Sequence, residues 1–378
     1  MMKTYTLTYA FIALFIFGCS TSEDDTDDDD KIEQSVEADY TLLVNTGGML
    51  TGKLLNGDAE TLSVNDGESG FAAIAEPQLI SEEGEVLTMY HKKSNCGGTI
   101  TVHDFNDATS KSFDVFADLG TCNLTAEAIV KGGNTIYVAY KKEISAEITE
   151  FAVRAMEISG AKATFEDVAL DYNPVGLAFS NNRLFIMGFD EDISGEHKLT
   201  VLSADTNTEI FEDNLGFDAQ SIFKNPEGNI IVGYDNLHTT INSKTFAKSY
   251  TTYAPGSVPN FATSELRHFD SNGKMYYAML AGTYSKYSLI PAVYDFNKNS
   301  AILYAFENFL TETQLDFELE IENTTLVHYD EANNLLLIGY KKSGDDKKGG
   351  LLRINPVPQP KFAGNLDLDG IPYALYVD

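Results

Sequence analysis

Three lysine pairs are the residues of this chain best suited to binding an anion. Each pair follows a tyrosine: Tyr90 with Lys92 and Lys93, Tyr140 with Lys141 and Lys142, and Tyr340 with Lys341 and Lys342. A lysine ammonium attracts an oxyanion, and a tyrosine ring beside it supplies apolar contact. The pattern predicts that an anionic or amphoteric small molecule binds between these side chains. The alternative is that the lysines are ordinary solvated loop charges.

Residue types that often carry catalysis or bind metals lack the spacing that such sites need. The six histidines are scattered singly, without an HExxH motif or paired Cys/His spacing. No GxSxG elbow, phosphate-binding glycine loop or dinucleotide fingerprint occurs. His268 and His328 each precede an aromatic residue and an aspartate, which indicates an equivalent structural place in two repeats. The sequence therefore predicts no catalytic residue, and it leaves enzymatic activity undecided.

Residues 365–370 resemble the start of a calcium-binding loop, with Asn365, Asp367 and Asp369 alternating before Gly370. The twelfth position is Tyr376, where a bidentate glutamate is required. A turn between structural units is the better interpretation. We therefore predict no cofactor, with calcium as the alternative.

The strands that must position these residues form a unit that recurs six times. Each copy has an apolar strand, a polar turn rich in Asn and Gly, and a second apolar strand that ends in an aromatic residue. The turns with their second strands lie at residues 83–90, 133–140, 182–189, 228–234, 272–278 and 333–340. Their spacing of roughly 45 to 60 residues is typical of one four-stranded blade.

A seventh unit forms when the two chain ends are joined. Residues 371–377 match the first strand of the repeat, and residues 40–44 and 53–55 match its second and third strands. The fold class is therefore all-β, a seven-bladed β-propeller closed by N- and C-terminal strands in one blade. Six or eight blades are the alternatives, because the C-terminal half contains an irregular insertion.

In such a blade, the loop after the second strand and the connection to the next blade open on the same face. Cys96 lies in a loop of the first kind and Cys122 in one of the second, and we predict that they form a disulfide in an oxidising compartment. Two free thiols are the alternative. The excursion at residues 307–320 also opens on this face, where it either caps the central funnel or packs on its own blade.

The N-terminal segment predicts export and lipidation. The apolar run 9–17 is too short to span a membrane, and Ile16, Gly18 and Cys19 after it resemble a bacterial lipobox, with Phe17 as a departure. The acidic run 23–30 resembles the surface-export signal of Bacteroidota lipoproteins; a solvated tether is the other interpretation. We expect a signal peptide at 1–18, a lipidated Cys19 with an acidic flexible tether at 19–38, and one propeller domain at 39–378.

The formal net charge of −31 argues against a nucleic-acid partner held through its phosphates.

The blade pattern is similar to that of extracytoplasmic bacterial propellers, and the anchor and architecture resemble those of the cobalamin-capturing surface propellers of gut Bacteroidota. The resemblance implies a protein anchored by lipid in the outer membrane and exposed at the cell surface, which captures a small nutrient or cofactor for an outer-membrane transporter. Two alternatives remain: a protein-protein interaction module or adhesin of the cell envelope, and an extracellular hydrolase or lyase.

Overall fold

The computed structural model of the protein describes residues 38–58, 61–94, 96–160, 162–191, 193–254, 256–282, 285–345, 347–356 and 359–377. The predicted signal peptide, Cys19 and the predicted tether up to residue 37 lie outside the described residues. Among the residues described, no helix combines the length and the apolar character needed to cross a membrane.

The described strands form seven antiparallel sheets, which are the blades of a propeller. Blade 1 begins with β1 (Ala38–Asn45), β2 (Met49–Gly57), β3 (Leu62–Asn65) and the short β4 (Ile74–Ala75). Blade 2 contains β5 (Leu79–Glu83), β6 (Val86–Lys92), β7 (Gly98–Asp104) and β8 (Thr109–Val115). Blade 3 contains β9 (Leu124–Gly132), β10 (Thr135–Ser145), β11 (Ile148–Glu157) and β12 (Thr164–Leu170).

The remaining blades follow in chain order. Blade 4 contains β13 (Asn173–Ser180), β14 (Arg183–Phe189), β15 (His197–Ser203) and β16 (Thr208–Gly216). Blade 5 contains β17 (Ser221–Lys224), β18 (Ile230–Gly233), β19 (Leu237–Ile241) and β20 (Lys248–Thr252). Blade 6 contains β21 (His268–Phe269), β22 (Lys274–Leu280), β23 (Leu289–Asp295) and β24 (Ser300–Leu303). Blade 7 contains β25 (Ile321–Asp330), β26 (Leu335–Lys342), β27 (Gly349–Asn355) and β28 (Lys361–Leu368), and β29 (Ile371–Val377) then completes blade 1.

The two chain ends meet in blade 1, as the sequence predicts. β1 pairs with β2 on one side and with the C-terminal strand β29 on the other, where Tyr40 lies opposite Val377. The seven-bladed propeller and its closure by both termini are therefore confirmed, and six or eight blades are excluded.

The turns between first and second strands explain why the repeat carries Asn and Gly. Gly84 (φ 58°), Gly273 (φ 78°) and Asn334 (φ 52°) occupy such turns in the left-handed region of backbone space. Glycine adopts that region without steric cost, and asparagine tolerates it better than most residues. The turn composition thus follows from backbone geometry.

The core lies in layers between adjacent blades. Leu177, Leu184 and Ile186 of blade 4 share one buried cluster with Tyr137 and Val153 of blade 3. Because each blade presents one apolar face to each neighbour, burial of side chains holds the ring together without a separate central core.

The two ends of the ring differ. The loops between second and third strands and the connections between blades lie at one end, which we call the loop face, and the tight turns lie at the other, the turn face. Three short 3₁₀ helices, Ala117–Leu119, Phe261–Thr263 and Phe306–Asn308, and a π-helix, Gln314–Glu318, belong to connections between blades. On the loop face the Cys96–Cys122 disulfide joins the loop after β6 to the connection after β8, which confirms the predicted pairing.

The excursion at residues 307–320 packs on the neighbouring blades. Leu310, Leu315 and Leu319 are buried in one cluster with residues of blades 6 and 7. Phe317 points the other way and is 80% exposed. Of the two interpretations that the sequence leaves open, the described contacts favour packing on the blades.

Candidate functional site

The three tyrosines of the predicted lysine site lie buried within the second strands β6, β10 and β26. The Tyr140 hydroxyl donates to Asp167 Oδ1 at 3.1 Å, and the Tyr340 hydroxyl donates to Asn365 Oδ1 at 3.0 Å. The Tyr90 ring packs edge-on against Phe116, with centroids 6.4 Å apart. Each ring therefore makes its described contacts within or beside its own blade.

Five of the six predicted lysines form ion pairs with carboxylates. The pairs are Lys93 with Asp114, Lys141 with Glu127 at 2.7 Å, Lys142 with Glu150 at 3.4 Å, Lys341 with Glu322 at 3.2 Å, and Lys342 with Asp367 at 2.7 Å. Lys92 is exposed, and its backbone N–H donates to the Gln78 side chain at 2.6 Å. An anion at these lysines would compete with the carboxylates. The site remains a prediction, spread over blades 2, 3 and 7.

The ring axis holds two cavities between the inner strands. One, of about 360 Å³, is lined by the inner strands of blades 1, 2, 5, 6 and 7. The other, of about 350 Å³, is lined by those of blades 2, 3, 4 and 5 and by the segment that leads into β21. Cavities of this size fall in the range that accommodates small molecules in proteins, which is about 300–1,000 Å³.

Five residues line both cavities and form what we call the junction: Glu82, Glu83, Lys224, Arg267 and Phe269. Glu83 is an ion-pair partner of Lys131 from blade 3 at 3.4 Å and of Lys224 from blade 5 at 3.6 Å. Its negative charge thus bridges cations from two other blades. The junction lies near the turn face, because Glu83 directly precedes the turn at Gly84.

Arg267 enters the junction from the segment before β21. Its Nη2 donates to the Phe261 carbonyl at 2.7 Å, its Nη1 to the Glu265 carbonyl at 3.4 Å, and its guanidinium lies 4.6 Å from the centre of the Phe223 ring. Its Nε is buried without a hydrogen-bond partner. Burial lowers the pKa of Arg267 to about 10, so the guanidinium stays charged at neutral pH. Backbone carbonyls and a ring hold this cation, and no described carboxylate forms an ion pair with it.

Glu82 is the second unusual group of the junction. It is surrounded by the ring, yet its side chain is exposed to the channel. Burial raises the pKa of Glu82 to about 7; the Tyr376 hydroxyl opposes this shift and the nearby Glu85 carboxylate adds to it. Near neutral pH this carboxyl exists in both protonation states, so it can accept or give up a proton or bind a cation.

The two histidines singled out by the sequence lie beside the same channel. Their rings are in contact, with centroids 3.7 Å apart and planes tilted by 34°, on the neighbouring inner strands β21 and β25. His268 Nε2 lies 3.1 Å from the Tyr329 carbonyl oxygen. Burial lowers the pKa of His268 to about 4, and burial together with the His268 charge lowers the pKa of His328. Both rings are therefore neutral at neutral pH and form part of the wall.

The part of the chain that the structure describes contains no group of three or more His, Cys, Asp or Glu side chains placed to hold a metal ion. Asn365 and Asp367 of the calcium-like motif belong to β28, and Asp369 and Gly370 form the turn into β29. The motif thus covers the end of β28 and the turn into blade 1, and only its last two residues lie in the predicted turn.

Sequence reasoning missed the junction residues. Glu82 and Glu83 close an inner strand, and Arg267 precedes another, so 185 positions separate the two unpaired charges along the chain. The available signal was the presence of charged residues in strands that should be buried on both faces. That signal identifies a site only after the ring has brought the inner strands together.

No protein-family model matches this chain, and no curated protein matches it. A periplasmic gluconolactonase from Pseudomonas aeruginosa is similar in structure, with a TM-score of 0.52 and 11% identity over 90% of this chain and 99% of that one. A hypothetical selenium-binding protein from Sulfolobus tokodaii gives a TM-score of 0.48 and 9% identity over 91% and 94%, and AztD from Citrobacter koseri gives 0.46 and 8% over 91% and 98%. At such identities the likeness shows the propeller fold alone.

Proposed function

We propose that this protein captures a small ligand in its central channel, at the junction. The observation that carries the proposal is that two cavities of about 360 and 350 Å³ meet at charged side chains from blades 2, 5 and 6. Burying charge inside a protein costs free energy unless the charge is compensated, and a bound ligand supplies such compensation. Convergent polar groups in a concave, partly apolar space are the general form of a small-molecule site.

A blocked channel tests this proposal. Val175 is 37% exposed and lines the cavity of about 350 Å³, so a tryptophan there narrows the channel with little effect on the core. Ligands are first found by thermal-shift screening of a metabolite library and then measured by titration calorimetry. We expect Val175→Trp to abolish binding. Val64→Trp is the matched control, because Val64 is 41% exposed on β3, away from the channel. Equal affinity in both variants would show that the ligand binds elsewhere.

We also propose, from the sequence, that lipid on Cys19 anchors the protein in the outer membrane, that the propeller is exposed at the cell surface, and that an outer-membrane transporter receives the ligand. The lipobox-like residues and the acidic run support this location. Labelling of cells with an alkyne-tagged fatty acid should mark the protein and not its Cys19→Ala variant. Protease treatment of intact cells tests surface exposure. Purification in mild detergent tests the transporter, which should be recovered in stoichiometric amount.

A second candidate function, the protein-interaction module, is favoured by the loop face. Ile193 is 89% exposed, Phe217 64% and Phe317 80%, and all three lie in loops or blade connections that open on that face. Exposed large apolar side chains are a feature of interaction surfaces. Exchange of all three for serine should weaken capture of an envelope partner and leave ligand binding in the channel unchanged. The hydrolase or lyase alternative would depend on Glu82 as its proton-transfer group.

A further inference from the structure

The junction presents a positive and a negative group that do not neutralise each other. Arg267 and Glu82 line the same two cavities, but they form no ion pair with each other among the described residues. The two lysines nearest this region, Lys131 and Lys224, are instead bound to Glu83. Glu85 and Glu265 each line one of the cavities as well, but within the junction Arg267 and Glu82 are the oppositely charged groups that form no ion pair among the described residues.

The geometry of Arg267 leaves part of its guanidinium for a ligand. Nη1 and Nη2 each donate to one backbone carbonyl, and each carries a second N–H that a ligand can accept; Nε is buried without a partner and is not counted among these donors. Glu265, next but one in the chain, does not form an ion pair with it, although its charge raises the pKa of Arg267. A guanidinium held by carbonyls and a ring is well suited to bind a carboxylate, because its planar donors match carboxylate oxygens.

Glu82 faces the channel without a cationic partner among the described residues. Its neighbours are the Tyr376 hydroxyl and the Glu85 carboxylate, and neither can neutralise a negative charge. An ammonium group is the complementary ligand chemistry, because it carries a positive charge and three hydrogen-bond donors.

We propose that the captured ligand is a small zwitterion, whose carboxylate binds Arg267 and whose ammonium binds Glu82. This inference rests on the proposed function and names the class of ligand for the same site. The cavity of about 350 Å³, which Val175→Trp would fill, adds an apolar wall formed by Ile80, Val130, Val175, Ile222 and Phe269. The matching class is an α-amino acid with an apolar side chain.

The inference predicts a pH dependence of binding. With its pKa near 7, Glu82 is largely protonated at pH 6 and charged at pH 8, and binding of an ammonium requires the charged form. The affinity should fall by up to about tenfold for each pH unit below the pKa. The other charged or titratable groups that line the two cavities with Glu82 are Glu83, Glu85, Glu127, Lys131, Lys224, Glu265, Arg267, His268, His328, Tyr373 and Tyr376. The histidines are already neutral near pH 7, so they do not account for such a change.

The test uses the full-length protein in detergent and three matched probes: L-phenylalanine, N-acetyl-L-phenylalanine, which lacks the ammonium group, and L-phenylalaninamide, which lacks the carboxylate. L-leucine and L-methionine are added as smaller zwitterions. Titration calorimetry should show at least about tenfold weaker binding of both blocked derivatives, which corresponds to about 1.4 kcal/mol. Arg267→Gln should weaken binding of phenylalanine and leave that of the amide unchanged. Glu82→Gln should weaken binding of phenylalanine, leave that of the acetyl derivative unchanged and remove the pH dependence. Arg183→Gln, on the turn face of blade 4, is the control.

The outcomes separate this inference from the proposed function. If no amino acid binds more tightly than about 10 mM, or if the blocked derivatives bind as well as the zwitterions, the zwitterion inference is wrong. If library ligands of another class then fail to bind Val175→Trp, the proposed ligand capture in the channel is supported although the zwitterion inference is wrong. If every ligand found binds Val175→Trp normally, both proposals are wrong.

Discussion

The tyrosine that ends the second strand of a blade depends on a glycine in the strand beside it. A Cβ atom added to Gly350 would collide with the Tyr340 ring and hydroxyl, and one added to Gly98 would collide with the Tyr90 ring. The ring in each case covers the glycine of the adjacent third strand. These tyrosines therefore have a packing role that explains their recurrence, whether or not a ligand also reaches them.

Gly350→Ala tests this packing role. The added methyl group must displace the buried Tyr340 ring, so we expect a loss of about 1–3 kcal/mol in the free energy of unfolding. Chemical denaturation followed by tyrosine fluorescence measures it. Gly282→Ala is the control, because a Cβ there meets no atom within 4 Å and its φ is not in the left-handed region. Equal stability of the two variants would show that Tyr340 can move aside freely.

At the scale of elements, the disulfide-closed loop is tied to blade 3 by a buried arginine. Arg154 of β11 is fully buried and donates to both Asp118 oxygens, at 2.6 and 2.9 Å. On its other side it donates to both oxygens of Asp167 in β12, at 2.9 and 2.7 Å. Since Asp118 lies in the 3₁₀ helix Ala117–Leu119, this cation holds the connection between blades 2 and 3 in place.

Replacement of this arginine should be among the most destabilising single changes on the loop face. Arg154→Met leaves two carboxylates facing each other without a cation. Breaking a fully buried ion pair costs about 3–5 kcal/mol, and because the Asp118 side chain is 49% exposed and that of Asp167 33%, we expect a loss of about 1–3 kcal/mol here. The midpoint of urea unfolding should fall accordingly, and hydrogen exchange should rise around residues 116–122. Lys111→Met, at an exposed position of β8, is expected to change neither.

The same contact predicts how stability depends on pH. Hydrogen bonds from Arg154 lower the pKa of Asp118 below its usual value near 4. A carboxyl whose pKa is lower in the folded state stabilises the fold above its unfolded pKa, and this contribution disappears as pH falls through the folded pKa. The unfolding free energy should therefore decline below about pH 4, and less steeply in Asp118→Asn. Identical pH profiles for the two proteins would contradict the assigned ion pair.

At the scale of the whole molecule, the last seven described residues close the ring. A chain that stops at Gly370 lacks β29, so blade 1 loses its inner strand and the partners of Ala374, Leu375 and Tyr376 become exposed. We expect this variant to lose cooperative thermal unfolding and to aggregate, because it exposes an apolar sheet edge. A chain that stops at Val377 keeps β29 and should unfold like the full protein. Cooperative unfolding of the shorter chain would mean that six blades suffice.

The fold could be predicted from sequence because its determinants are local. Asn and Gly at turns such as Asn334 and Gly84 set the strand pairs, and their regular spacing counts the blades. The Cys96–Cys122 pairing followed from the meander of a single blade. The junction could not be predicted in this way, because Glu82 and Arg267 line a common space only once the folded ring places blades 2 and 6 around the same axis. The lysine pairs stood out in sequence because they are local, and most of them are bound to carboxylates.

Blade 1 also determines how the ring would respond to force. β1 is bonded along its length to β2 on one side and to β29 on the other. A strand at the edge of a sheet can separate from its neighbour one hydrogen bond at a time. β1 must instead slide past two neighbours, so that the hydrogen bonds to β2 and to β29 resist the force together. We propose above that lipid on Cys19 holds the protein at the membrane. In that case a pulling force on the N-terminal segment would act on β1 in shear, parallel to its two sets of hydrogen bonds. Flow across the cell surface would then stretch the tether before it unfolded the ring.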